Sequence, residues 1–462
     1  MMEELTSGEV AKAVGGELIH GTGEERAVGV SIDTRTIEKG QLFFAIIGER
    51  YDAHQFLPQA WEQGAGGAVV EEGYPASQIP PKGFLIRVDD TTLALGELAS
   101  YYLNSFELQV VAITGSVGKT TTKDMVASVL GERYSLLKTD ENYNNQYGLP
   151  LTIFQLESHH QLLVLEMGMS GLGEITYLCR IASPQLGIIT NVGPTHLEEL
   201  ETVENVARGK AELAEALPEK GALFLNGDDP LVRKMSKKSR ATSFFYGLEE
   251  EQLDYRARSI ASSDSGGTVF TFQGEEFFLP LPGRHNLYNA LAALGLGSWM
   301  GMEKGEMAAG LKSFQPSSLR MNFLHLDRGV RIINDTYNAS PLSMRAALET
   351  LQQTPALRRI AVLGDMLELG LEEEKEHLQL GALVYEMGID LLFSVGELGA
   401  LITEGARAEG MPSSSLCYQP SLEDLAAQLT DLLQEGDLVL FKASRGIRLE
   451  QVVTSIESAR GN

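Results

Sequence analysis

The chain has 462 residues, too many for one hydrophobic core, so roughly two to four domains are expected. Hydrophobic residues make up 43% and charged residues 22%, the balance of a soluble globular protein. A net charge of −26 repels nucleic acid and anionic membranes, and the longest basic stretch, Arg233 to Arg240, reads as a solvated helix end; neither kind of partner is expected. The two cysteines, Cys179 and Cys417, lie far apart and define no disulfide framework or thiolate metal site. With no apolar signal core at the start and no apolar run long enough to span a membrane, the reading is a cytoplasmic protein without membrane insertion.

The first region, residues 1–88, has short β-type runs at 29–32, 42–46, 67–70 and 84–88 and a helix signal at 55–64. It reads as a small α/β domain without a phosphate loop. Its segments Ser31 to Arg35 and Gly48 to His54 are loops whose hydroxyl and cationic donors suit a phosphate or a uracil edge.

The second region, residues 89–316, alternates strand and helix. An apolar strand at 108–114 ends in Gly115-Ser116-Val117-Gly118-Lys119-Thr120-Thr121, followed by a helix at 120–130. The two glycines let backbone N–H groups approach phosphate oxygens. The helix N-terminus favours an anion, Lys119 can reach the outer phosphates, and the Thr120 hydroxyl can ligate Mg²⁺. Ile113 stands where the full phosphate-loop pattern has glycine, so the match is to the shorter G-x-x-G-K-T. Further apolar strands at 161–167, 186–192 and 222–225 predict a central, doubly wound, mostly parallel sheet. Ligands in such sheets bind outside the carboxyl ends of the strands, which puts Gly115, Glu166 and the 191–196 segment on one rim. Glu166, directly after a buried apolar run, is placed to hold Mg²⁺ or a metal-bound water. His196 falls on the same rim. By pattern alone, Lys210 is a surface lysine on a helix.

The third region, residues 317–462, repeats the logic with strands at 330–334, 360–363, 391–395 and 438–441, giving a C-terminal Rossmann-like α/β domain without the G-x-G-x-x-G of a dinucleotide site. Gly364-Asp365 reads as a nucleotide-type strand end. In the 334–341 segment, Asp335 could accept from ribose hydroxyls and Tyr337 or Asn338 could contact a base, ahead of a helix capped by Ser340-Pro341.

Five stretches in register with the phosphate loop carry a family resemblance: 142–150 (Asn-Tyr-Asn-Asn-Gln-Tyr-Gly-Leu-Pro), 165–169 (Leu-Glu-Met-Gly-Met), 334–339 (Asn-Asp-Thr-Tyr-Asn-Ala), 363–370 (Leu-Gly-Asp-Met-Leu-Glu-Leu-Gly) and 442–445 (Lys-Ala-Ser-Arg). Over essentially its whole length the chain resembles the Mur ligase family, the ATP-dependent amide-forming enzymes of peptidoglycan precursor synthesis. The resemblance implies a UDP-substrate-binding first domain, a central ATP-binding domain and a C-terminal ligase domain. It implies that D-alanyl-D-alanine is joined to the terminal carboxylate of UDP-N-acetylmuramoyl-tripeptide through an acyl phosphate, by a monomer. Gly115, Ser116, Val117, Gly118, Lys119, Thr120 and Thr121 would hold the ATP phosphates. Thr120 and Glu166 would bind one Mg²⁺, and His196 and Lys210 a second, with Lys210 carbamylated. Lys119, Glu166, His196, Lys210 and Arg320 would be the catalytic set, with Arg320 at the γ-phosphate. Asn286 would lie near the adenine and Asp335 at the ribose. Ser31, Thr34 and Arg35 would hold the uridine diphosphate end, Asn144 and Asn145 would face the peptide, and Ser444 and Arg445 the incoming dipeptide. In one departure, Leu319 precedes Arg320 where many members have glycine. The alternatives are a diamino-acid-adding or folylpolyglutamate-type ligase of the same family, against which the 144–145 and 334–339 stretches argue, and a nucleotide-switch ATPase.

Overall fold

The apolar run before the glycine loop forms the strand Gln109–Thr114, third from one edge of a nine-stranded sheet. The computed structural model describes residues 2–48, 51–72, 83–263 and 266–460. From the near edge the central sheet runs Leu136–Lys138, Leu162–Glu166, Gln109–Thr114, Leu186–Ile189, Ala222–Asn226, Thr242–Gly247, Tyr255–Ser262, Thr268–Phe272, Glu275–Leu279. Every pairing up to Tyr255–Ser262 is parallel. Register sets Glu166 opposite Ile113 and Ile189 opposite Thr114, so the carboxyl ends reach one rim together. Val110 and Ala112 face one apolar layer, and Val111 and Ile113 face the other. Helices therefore cover both faces, the doubly wound arrangement the continuous apolar strands require.

The strand-then-helix alternation expected throughout the second region fails after residue 254. There the chain forms an antiparallel meander of three strands. Thr268–Phe272 alternates buried and half-buried side chains, the period of a strand exposed on one face. Its turn, Gln273-Gly274, has φ of +49° and +85°, the left-handed pair a tight hairpin needs. The basic stretch resolves into the short helix Pro230–Arg233 and a 3-10 turn, Lys234–Lys238, as a solvated helix end.

The first sheet has five strands in the order Glu17–His20, Phe84–Val88, Gly67–Glu71, Leu42–Phe44, Val30–Ser31, parallel except for the first pair. The expected helix at 55–64 is shorter, a 3-10 turn and then Leu57–Glu62. Phe44, Val69 and Ile86 share one apolar cluster with Leu95, Leu98, Leu163 and Leu213, which fuses the first sheet to the central one. The third sheet is ordered Asn322–His325, Arg331–Asn334, Asp437–Lys442, Arg358–Gly364, Leu391–Val395, Leu416–Tyr418, with only the first pairing antiparallel. Its two faces are covered by separate clusters. The third unit meets the central one through a few contacts, among them the Leu197 N–H donating to the Glu368 carbonyl at 3.0 Å. Among the described residues no helix is long and apolar enough to cross a membrane.

Candidate active site

The glycine loop is braced from below by the next strand end. Gly115 approaches so closely that a Cβ would lie 1.8 Å from the Thr190 hydroxyl oxygen. The Ser116 N–H donates to the Asn191 carbonyl at 2.9 Å. The Asn191 amide brackets the next residue, its Oδ1 accepting from the Val117 N–H and its Nδ2 donating to the Val117 carbonyl, both at 2.9 Å. The Thr190 hydroxyl donates to that same carbonyl at 2.6 Å. Gly118, at φ +84°, then opens the helix Lys119–Leu130, whose first internal bond is donated by the Thr122 N–H. The N–H groups of Gly118, Lys119, Thr120 and Thr121 have no protein acceptor among the described residues, so four aligned donors remain at a helix N-terminus for an anion. The Lys119 ammonium folds over the loop, donating to the Gly115 and Ser116 carbonyls at 2.8 and 3.2 Å. Burial lowers its pKa, and Glu166 opposes the shift.

Glu166 is buried at the neighbouring strand end. Its Oε2 accepts from the Thr120 hydroxyl and its Oε1 from the Asn144 amide, both at 2.7 Å. Asn145 turns its Oδ1 to the N–H groups of Tyr147 and Gly148, starting the helix Gly148–Ile153. The surface lysine expected at 210 is instead 2% exposed. It lies on the inward face of Val203–Ala216 with Val206, Gly209 and Leu213. Its ammonium has no hydrogen bond or ion pair among the described residues, and burial, then the charge of Lys119, drives its pKa far down. His196, at φ +55°, has its Nδ1 2.7 Å from a Glu368 carboxylate oxygen.

The opposite wall comes from the third unit. The Arg320 guanidinium carbon lies 4.0 Å from the Tyr337 ring centroid, a cation–π contact that sets its direction. Asp335 accepts from the Met321 N–H at 3.1 Å and from the buried Lys442 ammonium at 2.5 Å. Lys442 also donates to the Asn338 carbonyl at 2.9 Å. Back on the central unit, Asn286 in the helix Arg284–Trp299 donates to the Pro282 carbonyl at 2.8 Å. Ser444 accepts from the Leu367 N–H at 3.0 Å, and Arg445 pairs with Glu450 at 2.7 Å. Between the walls is a cleft of about 620 Å³.

Residues 116–121, Asn144, Asn145, Glu166, His196, Asn286, Arg320, Asp335, Ser444 and Arg445 all border that cleft. Gly115 and Lys210 are not among the residues that border it. Ser31, Thr34 and Arg35 are not brought to it. They belong to the edge strand of the first sheet and the turn after it, where Arg35 is exposed and paired with Asp33 at 2.6 Å. Glu49 and Arg50 of the neighbouring loop lie outside the described residues. Asp365, expected at a nucleotide-type strand end, is buried and accepts from the N–H groups of Glu397 and Leu398. Lys442, Glu368 and His285 also border the cleft, and the sequence motifs give none of them a role there. Lys442 carried the same signal as Glu166, a charge directly after an apolar strand. Among the described residues no three His, Cys, Asp or Glu side chains gather into an all-protein metal cage. A Mg²⁺ site needs only one or two carboxylates when phosphates complete it.

Fold and cleft define a three-domain α/β nucleotide-handling enzyme whose anion-binding loop faces a second α/β domain. Models of the Mur ligase middle domain and of the Mur ligase glutamate ligase domain match residues 113–297 and 319–445. The UDP-N-acetylmuramoyl-tripeptide–D-alanyl-D-alanine ligase of Bacillus subtilis is 39% identical over 460 residues, covering 98% of this chain and 99% of that one. A solved MurF from Acinetobacter baumannii superposes with TM-score 0.89 at 30% identity, covering 99% of each chain. MurF from Thermotoga maritima, solved in complex with ADP, gives 0.82 at 29% identity over 93% of this chain and 97% of that one. The chain belongs to the Mur ligase family.

Proposed function

We propose that the chain joins D-alanyl-D-alanine to the terminal carboxylate of UDP-N-acetylmuramoyl-tripeptide, converting ATP to ADP and phosphate, in cytoplasmic peptidoglycan precursor synthesis. Full-length similarity to ligases of that name supports the substrates. The observation that carries the chemistry is the row of four open N–H donors beside the Thr120–Glu166 pair, with Arg320 on the facing wall. The domains divide near residues 88 and 316, and both cleft walls lie on one chain, which supports a monomer.

A carboxylate oxygen of the tripeptide attacks the γ-phosphorus, and the oxygen bridging the β- and γ-phosphates leaves with ADP. The amine of D-alanyl-D-alanine then attacks the acyl carbon, phosphate departs and the amine loses a proton. Two anions meet in the first step, so positive groups decide its rate. The N–H groups of residues 118–121 hold the phosphates, Lys119 swings from its loop carbonyls to the outer ones, and Arg320 faces the transferred group from the far wall. Thr120 and Glu166, with oxygens 2.7 Å apart, fit one Mg²⁺. His196, at the cleft, and Lys210, through a carbamate, would serve a second, as the family resemblance implies. Bound Mg²⁺ supplies charge neutralisation at the phosphates. Lys210 fits carbamylation, which requires the neutral amine: it is buried, unpaired and beside another cation. Asn286 and Asp335 serve the nucleoside, Asn144 and Asn145 the peptide, Ser444 and Arg445 the dipeptide. Ser31, Thr34 and Arg35 hold the uridine diphosphate end away from the cleft. Asp335 accepts from the ribose hydroxyls with the lone pairs left after Met321 and Lys442.

The test is phosphate release measured with D-alanyl-D-alanine and, in turn, the lysine- and diaminopimelate-containing nucleotide tripeptides. Release that needs both the dipeptide and one tripeptide is expected. Release independent of any nucleotide peptide would favour a switch ATPase.

A further inference from the structure

His196 and Glu368 meet across the seam between the central and third units, and both are non-glycine residues in the left-handed region, at φ +55° and +64°. Backbone held there is strained and persists only where its surroundings dictate it. The surroundings of Glu368 do so. Asp365, three residues earlier, is tied to the N–H groups of Glu397 and Leu398. The Met366 N–H donates to the buried His377 ring at 2.9 Å and the Leu367 N–H to the Ser444 hydroxyl at 3.0 Å. After it, Gly370 packs on the backbone of Glu198. Three consecutive residues are thus pinned to three different elements, and the next presents its carboxylate to Nδ1 of His196 at 2.7 Å while its carbonyl accepts from the Leu197 N–H. A carboxylate accepts only, so Nδ1 carries the proton of this contact and Nε2 is left for the cleft that His196 borders.

We propose that Glu368 is a positioning residue for the ligase reaction, fixing the orientation and tautomer of His196 from the opposite unit, so that the ring is set only when the two walls of the cleft are apposed. The inference rests on the reading of His196 as a working group of the cleft. It makes alignment of a central-domain side chain conditional on the third domain. Open and closed arrangements would then differ in chemical competence as well as in solvent access.

The test compares Glu368→Ala, Glu368→Gln, His196→Ala and the double variant in the full chain, by steady-state kinetics and by small-angle scattering with a non-hydrolysable ATP analogue and the nucleotide tripeptide. Glu368→Ala is expected to lower kcat about tenfold while KM for ATP stays within about twofold. Its radius of gyration with ligands should exceed that of the wild type. Glu368→Gln, whose amide oxygen can still accept from Nδ1, should recover most of both. The double variant should be no slower than His196→Ala alone. Wild-type kcat and compaction in Glu368→Ala, or multiplying effects in the double variant, would overturn the positioning role and leave the reading of His196 standing. Full activity in His196→Ala would overturn that reading itself.

Discussion

The two walls of the cleft are built from the same element, the carboxyl ends of parallel strands, yet they differ in what they leave open. On the central wall, Thr190 and Asn191 take up Val117 completely and so hold four consecutive N–H groups free at the helix start. On the third wall the polar groups close on one another: Asp335 with Lys442 and Met321, Asp365 with Glu397 and Leu398, Ser444 with Leu367. The first wall is shaped to receive a ligand. The second is shaped to hold loops, and through them to aim Arg320 and Glu368 across the gap. Charge follows the same division, since Lys210 is buried unpaired whereas Lys442, equally buried, has its carboxylate.

If that contrast is right, Glu166→Ala should have the largest effect, lowering turnover by about a thousandfold, measured as phosphate release, with thermal stability little changed. Lys210→Ala should lower turnover by about a hundredfold. Wild-type activity should also fall in carbon-dioxide-depleted buffer and return on adding bicarbonate, a response Lys442→Ala should not alter. On the third wall the effect should appear in stability. Asp335→Ala leaves a buried ammonium without its partner and should cost about 3–5 kcal/mol in denaturant unfolding. A smaller effect involves His285, whose pKa burial pushes down to about 4 from 6.5. Asp335 and Lys442, from the facing unit, act on it with opposite signs. The folded state keeps it neutral while the unfolded state takes up a proton below 6.5, so its contribution is complete above that pH and is lost as pH falls towards 4. His285→Gln should therefore flatten the fall of melting temperature across that window. The smallest effect should come from Arg35→Ala: its ion pair with Asp33 is exposed and screened by solvent, so stability should hold while KM for the nucleotide tripeptide rises.

The central wall was legible in the sequence because its signals are local. A glycine loop after an apolar run, and a charge straight after Leu162 to Leu165, each report their own surroundings. The third wall was less so. The partner of Asp335 is 107 residues away and that of Asp365 about thirty, at distances no spacing rule reaches. Lys210 shows the same limit from the other side. Its helix has charged residues on both sides of it, and only packing against the sheet decides that this lysine faces inward. The antiparallel meander was missed because its short strands resemble the parallel ones before them. The Gln273-Gly274 turn was the available signal.

The claim on which the rest depends is that the two walls close on a carboxylate and a triphosphate so that the first takes the γ-phosphoryl group of the second. Nucleotide tripeptide labelled with heavy oxygen in its terminal carboxylate tests this directly. One labelled oxygen should appear in the phosphate released for each amide bond formed. Phosphate free of the label, with the amide still made, would contradict it.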